Sequence, residues 1–257
     1  MTPLPCPQPV VPTPGPGTHF SPSSATGIHT PLRKAQQPPR RKPRMAIFAS
    51  HRAHCVADLL KGYRNGELDC EIPLIISNHT ELRSLAEDYA VAFRHVAVQP
   101  GHKRDAEALQ LGLLRWHGVE FVVLARYMQI LSAEFIRHYE NRIINIHHSL
   151  LPAFAGARPY HRAYERGVKI IGATAHYVTE ALDDGPIIEQ DVIRVSHRDS
   201  VEDLMLKGAN LEQAVLSRAV KWHIENRVQV RRNRTLVFDD EVNIAHSARD
   251  KAHRAQG

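Results

Sequence analysis

The sequence predicts an α/β protein built on a wound, mostly parallel sheet, with an antiparallel pair of strands at its C-terminal end. Three observations carry that expectation. From Met45 onward, short apolar runs alternate with longer segments of helical period, the pattern of strands and helices laid down in turn. The last two apolar runs are separated instead by Asp183-Asp184-Gly185-Pro186, a strong turn signal that reads as a hairpin-like pair. The length of 257 residues, 43% of them hydrophobic, suffices for one sizeable core and not for two large domains.

The elements follow in order. Strands are expected at Met45–Ser50, Ile72–Ser77, His95–Val98, Phe121–Ala125 and Ile143–Ile146. A helix around Cys55–Arg64 is closed by Asn65-Gly66, a second spans about Thr80–Tyr89, and a third runs from Lys103 to His117 and stops at Gly118. Beyond Asn145 the spacing shortens. A loop through Pro152 and Pro159 leads to a helix at Tyr160–Arg166, and the paired segments Ile170–Val178 and Ile187–Val195 come next. A long helix over Ser200–Asn226 closes the domain, and Val228–Val237 reads as a small hairpin.

The ends differ in composition. Twelve of the seventeen prolines lie within residues 1–44, interleaved with Ser, Thr and Gly. Such a segment buries too little apolar surface to offset the entropy of ordering, so a disordered tail is expected there. Its basic, acid-free character resembles a transit peptide, but the prolines oppose the amphipathic helix such a peptide forms. The expected organisation is therefore a tail over 1–44, a catalytic domain over 45–239 and a frayed tail over 240–257.

Net charge is +6, which raises the question of a nucleic-acid partner. Arg33, Lys34, Arg40, Arg41, Lys42 and Arg44 account for the excess, and 27 basic residues face 27 acidic ones from Met45 onward. The domain itself is near neutral, so no nucleic-acid partner is expected. Cys6, Cys55 and Cys70 form no C-x-x-C pair, which fits a reducing, cytoplasmic setting. No apolar run nears the roughly 20 residues a membrane span needs.

Polar residues that a core has least reason to hold concentrate between Ala125 and Gln190. In the run Ile143-Ile144-Asn145-Ile146-His147-His148-Ser149, Asn145 and His147 share one side of a strand because side chains alternate. They sit at the carboxyl end of a parallel strand, where open α/β sheets bind ligands. The stretch from Ala175 to Pro186 adds His176 and Asp183. Taken singly, each of these residues has an ordinary structural explanation, loop satisfaction for the histidines and turn formation for the aspartate.

The strings ARYMQIL (Ala125–Leu131), INIHHSLLPAF (Ile144–Phe154) and TAHYVTEALDDGPIIEQD (Thr174–Asp191) resemble the formyltetrahydrofolate deformylases, a branch of the folate-dependent formyltransferase superfamily. The resemblance runs from about Met45 to Asp239. The paired histidines, ARYMQIL and PYHRAYERG are closer to the deformylase branch, while the N-x-H-x-S-L-L-P core belongs to the whole superfamily. It implies a Rossmann-like, three-layer αβα formyltransferase fold. It also implies that Asn145, His147 and Asp183 are catalytic: Asn145 and a protonated His147 would stabilise the oxyanion formed when water attacks the formyl carbon, and Asp183 would hold and deprotonate that water.

His176 takes a supporting role in the same resemblance, and Ser149 ties down the turn into Leu151-Pro152. A serine nucleophile is disfavoured because no elbow glycines flank Ser149. Met128, Gln129, Ile130, Leu131 and Thr179 are implied to line the folate pocket, bordered by a loop over 154–159. The substrate is 10-formyltetrahydrofolate, with no separate cofactor and no metal. A homo-oligomer is compatible with the reading, although the sensing domain of ACT type that usually precedes the catalytic domain in bacterial deformylases has no counterpart in the Pro-rich tail.

The identity of the formyl acceptor turns on the first strand-to-helix connection. A relative that formylates glycinamide ribonucleotide has glycines there, whose amides hold a phosphate at a helix N-terminus. Here the turn is Ser50-His51-Arg52-Ala53-His54-Cys55, without glycine, which favours water as acceptor. A phosphoribosylglycinamide formyltransferase and a non-catalytic folate-binding regulator are the alternatives. A metal hydrolase is disfavoured because His147, His148, His161 and His176 lack helical zinc spacing. Transfer of formyl to a transfer RNA is disfavoured too, since 74 residues follow Asp183.

Overall fold

The computed structural model describes residues 41–152 and 158–238. Residues 1–40 of the expected tail over 1–44, residue 239, the expected tail over 240–257 and most of the loop expected to border the folate lie outside the described residues.

Seven strands form one sheet in the order β3-β2-β1-β4-β5-β6-β7. These are β1 (Arg44–Ala49), β2 (Glu71–Ser77), β3 (Ala92–His95), β4 (Phe121–Ala125), β5 (Ile143–His147), β6 (Ile170–Tyr177) and β7 (Ile187–Arg194). The first five pair in parallel, and β6 and β7 are antiparallel. The chain moves outward through β2 and β3 and then returns to the other side of β1, so the carboxyl ends of β1 and β4 flank a topological switch point.

The helices are α1 (His54–Arg64), α2 (Arg83–Asp88), α3 (Lys103–Trp116), α4 (Ala133–His138), α5 (Pro159–Arg166) and α6 (Val201–Ile224). Alternation in β1 shows how the layers arise. Met45, Ile47 and Ala49 enter one core with residues of α1 and α6, while Ala46 and Phe48 enter the opposite core with Ala106 and Leu114 of α3 and Phe135 of α4. A strand buried on both faces must be apolar throughout, as this one is. A two-stranded hairpin of β8 (Val228–Arg231) and β9 (Arg234–Val237) follows α6.

The structure departs from local expectation in four places. The third strand lies at Ala92–His95, three residues earlier than expected, because the edge strand takes its register from β2, with Leu74 opposite Ala92 and Ser77 opposite His95. Helix α2 begins at Arg83, after a turn in which Arg83 N donates to Thr80 O. Helix α4 was not anticipated. Ser132 caps it by accepting from Phe135 N, a Ser-Ala-Glu signature. Arg44 opens β1 from within the segment expected as tail, and Arg41 and Lys42 pair with Glu120 and Asp69.

Candidate active site

The carboxyl ends of β1, β4 and β5 open into a cavity of about 1020 Å3. Asn145, His147, His176 and Asp183 lie together on its floor. Pairing of β5 with β6 sets Asn145 directly opposite His176, and the turn after β6 brings Asp183 back over both. That turn depends on Gly185, where a Cβ would fall 1.7 Å from the Tyr177 carbonyl oxygen. Asp183 itself adopts a left-handed φ of 55°, a conformation that aspartate tolerates better than most residues.

Hydrogen-bond valence assigns the protons. His176 Nδ1 lies 2.9 Å from the Tyr177 carbonyl, which can only accept, so Nδ1 carries the hydrogen. Burial pushes the His176 pKa down, leaving a neutral ring whose Nε2 accepts from Asn145 Nδ2 at 3.2 Å. The Asp183 carboxylate stays 3.8 Å from that nitrogen. His176 therefore orients Asn145, and one of the two Asn145 amide hydrogens remains for a ligand.

His147 presents Nδ1 to Asp183 Oδ1 at 3.3 Å. Its Nε2 is buried and has no hydrogen-bond partner among the described residues, a costly condition that a ligand would relieve. The contact with His147 holds the Asp183 carboxyl below its ordinary pKa, against the opposing effect of partial burial. At neutral pH Asp183 is a carboxylate. His148 stacks on His147 with ring centroids 5.2 Å apart, and burial together with the charge of Arg126 pushes its pKa down to about 4.

The opposite wall is apolar. Met128, Gln129, Ile130, Leu131 and Thr179 all line the cavity. Met128 and Ile130 are 61% and 62% exposed, so this run is a shelf at the cavity edge and only Leu131 is tucked into the core. Both ends of the shelf are pinned: Met128 N donates to Ser50 Oγ at 3.0 Å and Ser132 N to Glu107 Oε1 at 2.9 Å. Ser149 stands outside the cavity lining. It is buried, and its carbonyl accepts from Thr174 Oγ1, which also accepts from Leu151 N. It thus helps to fix the loop that follows β5.

Sequence reasoning missed a second polar group in the same cavity. Glu212 of α6, 2% exposed, faces His54 at the start of α1, Tyr160 of α5 and Arg126 after β4. A signal was available: Glu212 interrupts the apolar stripe of Leu204, Leu211, Val215 and Leu216. Its partners were not legible, being up to 158 residues away. His54, Cys55 and Glu212 also bring potential metal-ligand atoms within 4.8 Å of one another. The Arg126 guanidinium 3.5 Å from Glu212 and a thiol pushed toward its protonated form by burial both oppose a cation there.

Comparison with known proteins places these features in a family. Residues 43–220 match the family described as Formyl transferase. Formyltetrahydrofolate deformylase from Synechocystis is 56% identical over 196 residues, covering 76% of this chain and 69% of that protein. The crystal structure of a formyltetrahydrofolate deformylase from Pseudomonas syringae superimposes with a TM-score of 0.76 at 52% identity, over 78% of this chain and 67% of the other. Glycinamide ribonucleotide transformylase 1 from Symbiobacterium toebii gives a TM-score of 0.73 at 30% identity, over 77% of this chain and 95% of the other. The chain spans from 63% to 71% of the length of its curated deformylase relatives.

Proposed function

The chain belongs to the formyltetrahydrofolate deformylase family of formyl transferases, and from that premise we propose that it hydrolyses 10-formyltetrahydrofolate to formate and tetrahydrofolate. It is a hydrolase of one-carbon metabolism, and the formate it releases serves purine synthesis. Folate enters as substrate, and the chemistry rests on side chains of the chain itself.

The observation that carries this reading is the unpartnered Nε2 of His147 at the floor of the cavity, with the Asp183 carboxylate behind it. A flat pterin and benzoyl system lies along the shelf of Met128, Ile130 and Leu131, an apolar surface with few polar groups, as ligand pockets commonly are. The formyl oxygen then meets the free amide hydrogen of Asn145 and Nε2 of His147. Water attacks the formyl carbon while Asp183 takes its proton, and the developing oxyanion is stabilised by Asn145 and by His147 in its protonated form. Collapse of the tetrahedral intermediate breaks the bond to N10, which takes the proton that Asp183 carries, so that Asp183 is again a carboxylate.

The test is formate release from 10-formyltetrahydrofolate with and without glycinamide ribonucleotide. Release that needs no amine supports the hydrolase. Strict dependence on the ribonucleotide would move the chain to the transferase branch, and no release under either condition would leave a folate-binding protein without this activity.

A further inference from the structure

Water is a poor competitor against an amine for a formyl group, so a hydrolase built on a fold shared with amine formylases needs a feature that keeps amines out. The cavity has two ends. One is the apolar shelf already described. The other, beyond His148, is formed by His54, Arg126, Tyr160 and Glu212, and no step of the proposed hydrolysis uses them.

We infer that His54, Tyr160 and Glu212 form a specificity clamp that closes this polar end to a hydroxyl-bearing amine and leaves water as the acceptor. The inference rests on the hydrolase reading above and extends it. Glu212 is the group that would otherwise bind such an acceptor, since a carboxylate lining a cavity takes hydroxyl and amine donors readily. Here both oxygens are held from within. His54 Nε2 lies 2.8 Å from Oε2, and the Tyr160 hydroxyl donates to Oε1 at 2.8 Å. Arg126 Nε adds its charge at 3.5 Å from Oε2.

The clamp is assembled from four separate elements, and the backbone is shaped to admit it. Tyr160 crosses α6 over Gly208, one turn before Glu212, where a Cβ would lie 2.1 Å from the Tyr160 hydroxyl oxygen. Any larger residue at 208 would push the ring off the carboxylate. Arg126 reaches Glu212 from a left-handed φ of 62°, a conformation a non-glycine residue adopts only where its surroundings impose it. His54, the first residue of α1, turns its ring inward to Glu212 across the helix start. The connection before it contains no glycine. An acceptor would therefore have to displace charge-assisted hydrogen bonds that the chain already makes, for at best an even exchange.

The two fates of the formyl group differ in one atom. In hydrolysis the water oxygen bonds to the formyl carbon, the bond to N10 breaks, one water proton ends on N10, and the other passes to solvent as formate leaves. In transfer an amine nitrogen forms that bond and gives up the proton instead.

The experiment supplies the full chain with 10-formyltetrahydrofolate and glycinamide ribonucleotide, and quantifies formate and formylated amine by mass spectrometry. Wild type should yield formate with no appreciable formylated amine. The double variant His54→Ala, Tyr160→Phe should raise the fraction of formyl reaching the amine by about tenfold or more. Tyr160→Phe alone, which removes one hydroxyl, should move the fraction the same way by less, and it carries the test should the double variant not fold. A folded variant that still hydrolyses with the wild-type partition overturns the clamp and leaves the hydrolase reading intact. Wild type that releases no formate without an amine overturns the hydrolase reading itself.

Discussion

Two carboxylates share one cavity, and their surroundings give them opposite characters. Asp183 sits on a turn that lines the cavity, has side-chain exposure of 21% and meets His147 at 3.3 Å through Oδ1. Glu212 is 2% exposed, packed into the middle of α6, and has a partner on each oxygen. Burial alone would raise the Glu212 pKa, yet His54, Arg126 and Tyr160 together hold it below its ordinary value. Both groups are therefore charged, for different reasons. A carboxylate held through one oxygen at a cavity wall is available for chemistry, and one held through both oxygens fixes shape.

The sharpest way to break this comparison is Asp183→Asn. Removing the proposed base should reduce formate release by about 10³-fold, with folate binding still measurable and stability changed by no more than about 1 kcal/mol. Steady-state rates, a fluorescence titration with folate and a thermal melt read the three quantities, and hydrolysis at the wild-type rate would remove Asp183 from the mechanism. Glu212→Ala should show the reverse emphasis. It strands the Arg126 guanidinium without its counter-charge and leaves His54 and Tyr160 without their hydrogen-bond acceptor, and stability should fall by about 3 kcal/mol, read from urea denaturation. Equal melting temperatures for the two variants would erase the distinction.

The smallest effect per residue concerns pH. His148 and His223 are pushed down to about 4, chiefly by burial. Their folded pKa values lie below the unfolded value near 6.5, so the unfolded chain binds the extra protons between the two. The stability they confer is complete above that unfolded value and is lost as pH falls toward 4, by about 2 kcal/mol per residue at pH 5. Asp183 cannot cause this loss, since a carboxylate with a depressed pKa keeps its stabilising effect until the pH drops below its unfolded value. Urea midpoints at pH 7.5 and 5 should differ accordingly. A flat profile would mean that these histidines are not buried as neutral rings.

Much of the fold could be read in advance because its signals are local. The expected Phe121–Ala125 strand matches β4 residue for residue, since a fully apolar run between a glycine-bounded helix and a polar loop has few alternatives. The antiparallel pair followed from the turn at Asp183–Pro186. The β3 register and α4 were harder, because an edge strand is placed by its neighbour and a six-residue helix has little periodicity to show. Within the site, the recurring strings marked Asn145, His147, His176 and Asp183, and the model gathers all four. Those strings also pointed to Met128 and Ile130, but an apolar run reads as core until the structure exposes it.

By itself the sequence determined the α/β class, the order of nearly all the elements and the polar residues that meet on the cavity floor, because each is written in periodicity or in a short contiguous string. Tertiary structure alone decided which nitrogen of His176 carries the proton, that Met128 and Ile130 form an exposed shelf, and that Glu212 is enclosed by His54, Arg126 and Tyr160. Those outcomes depend on groups from distant parts of the chain meeting at hydrogen-bond distance, and no local pattern records such a meeting before the chain has folded.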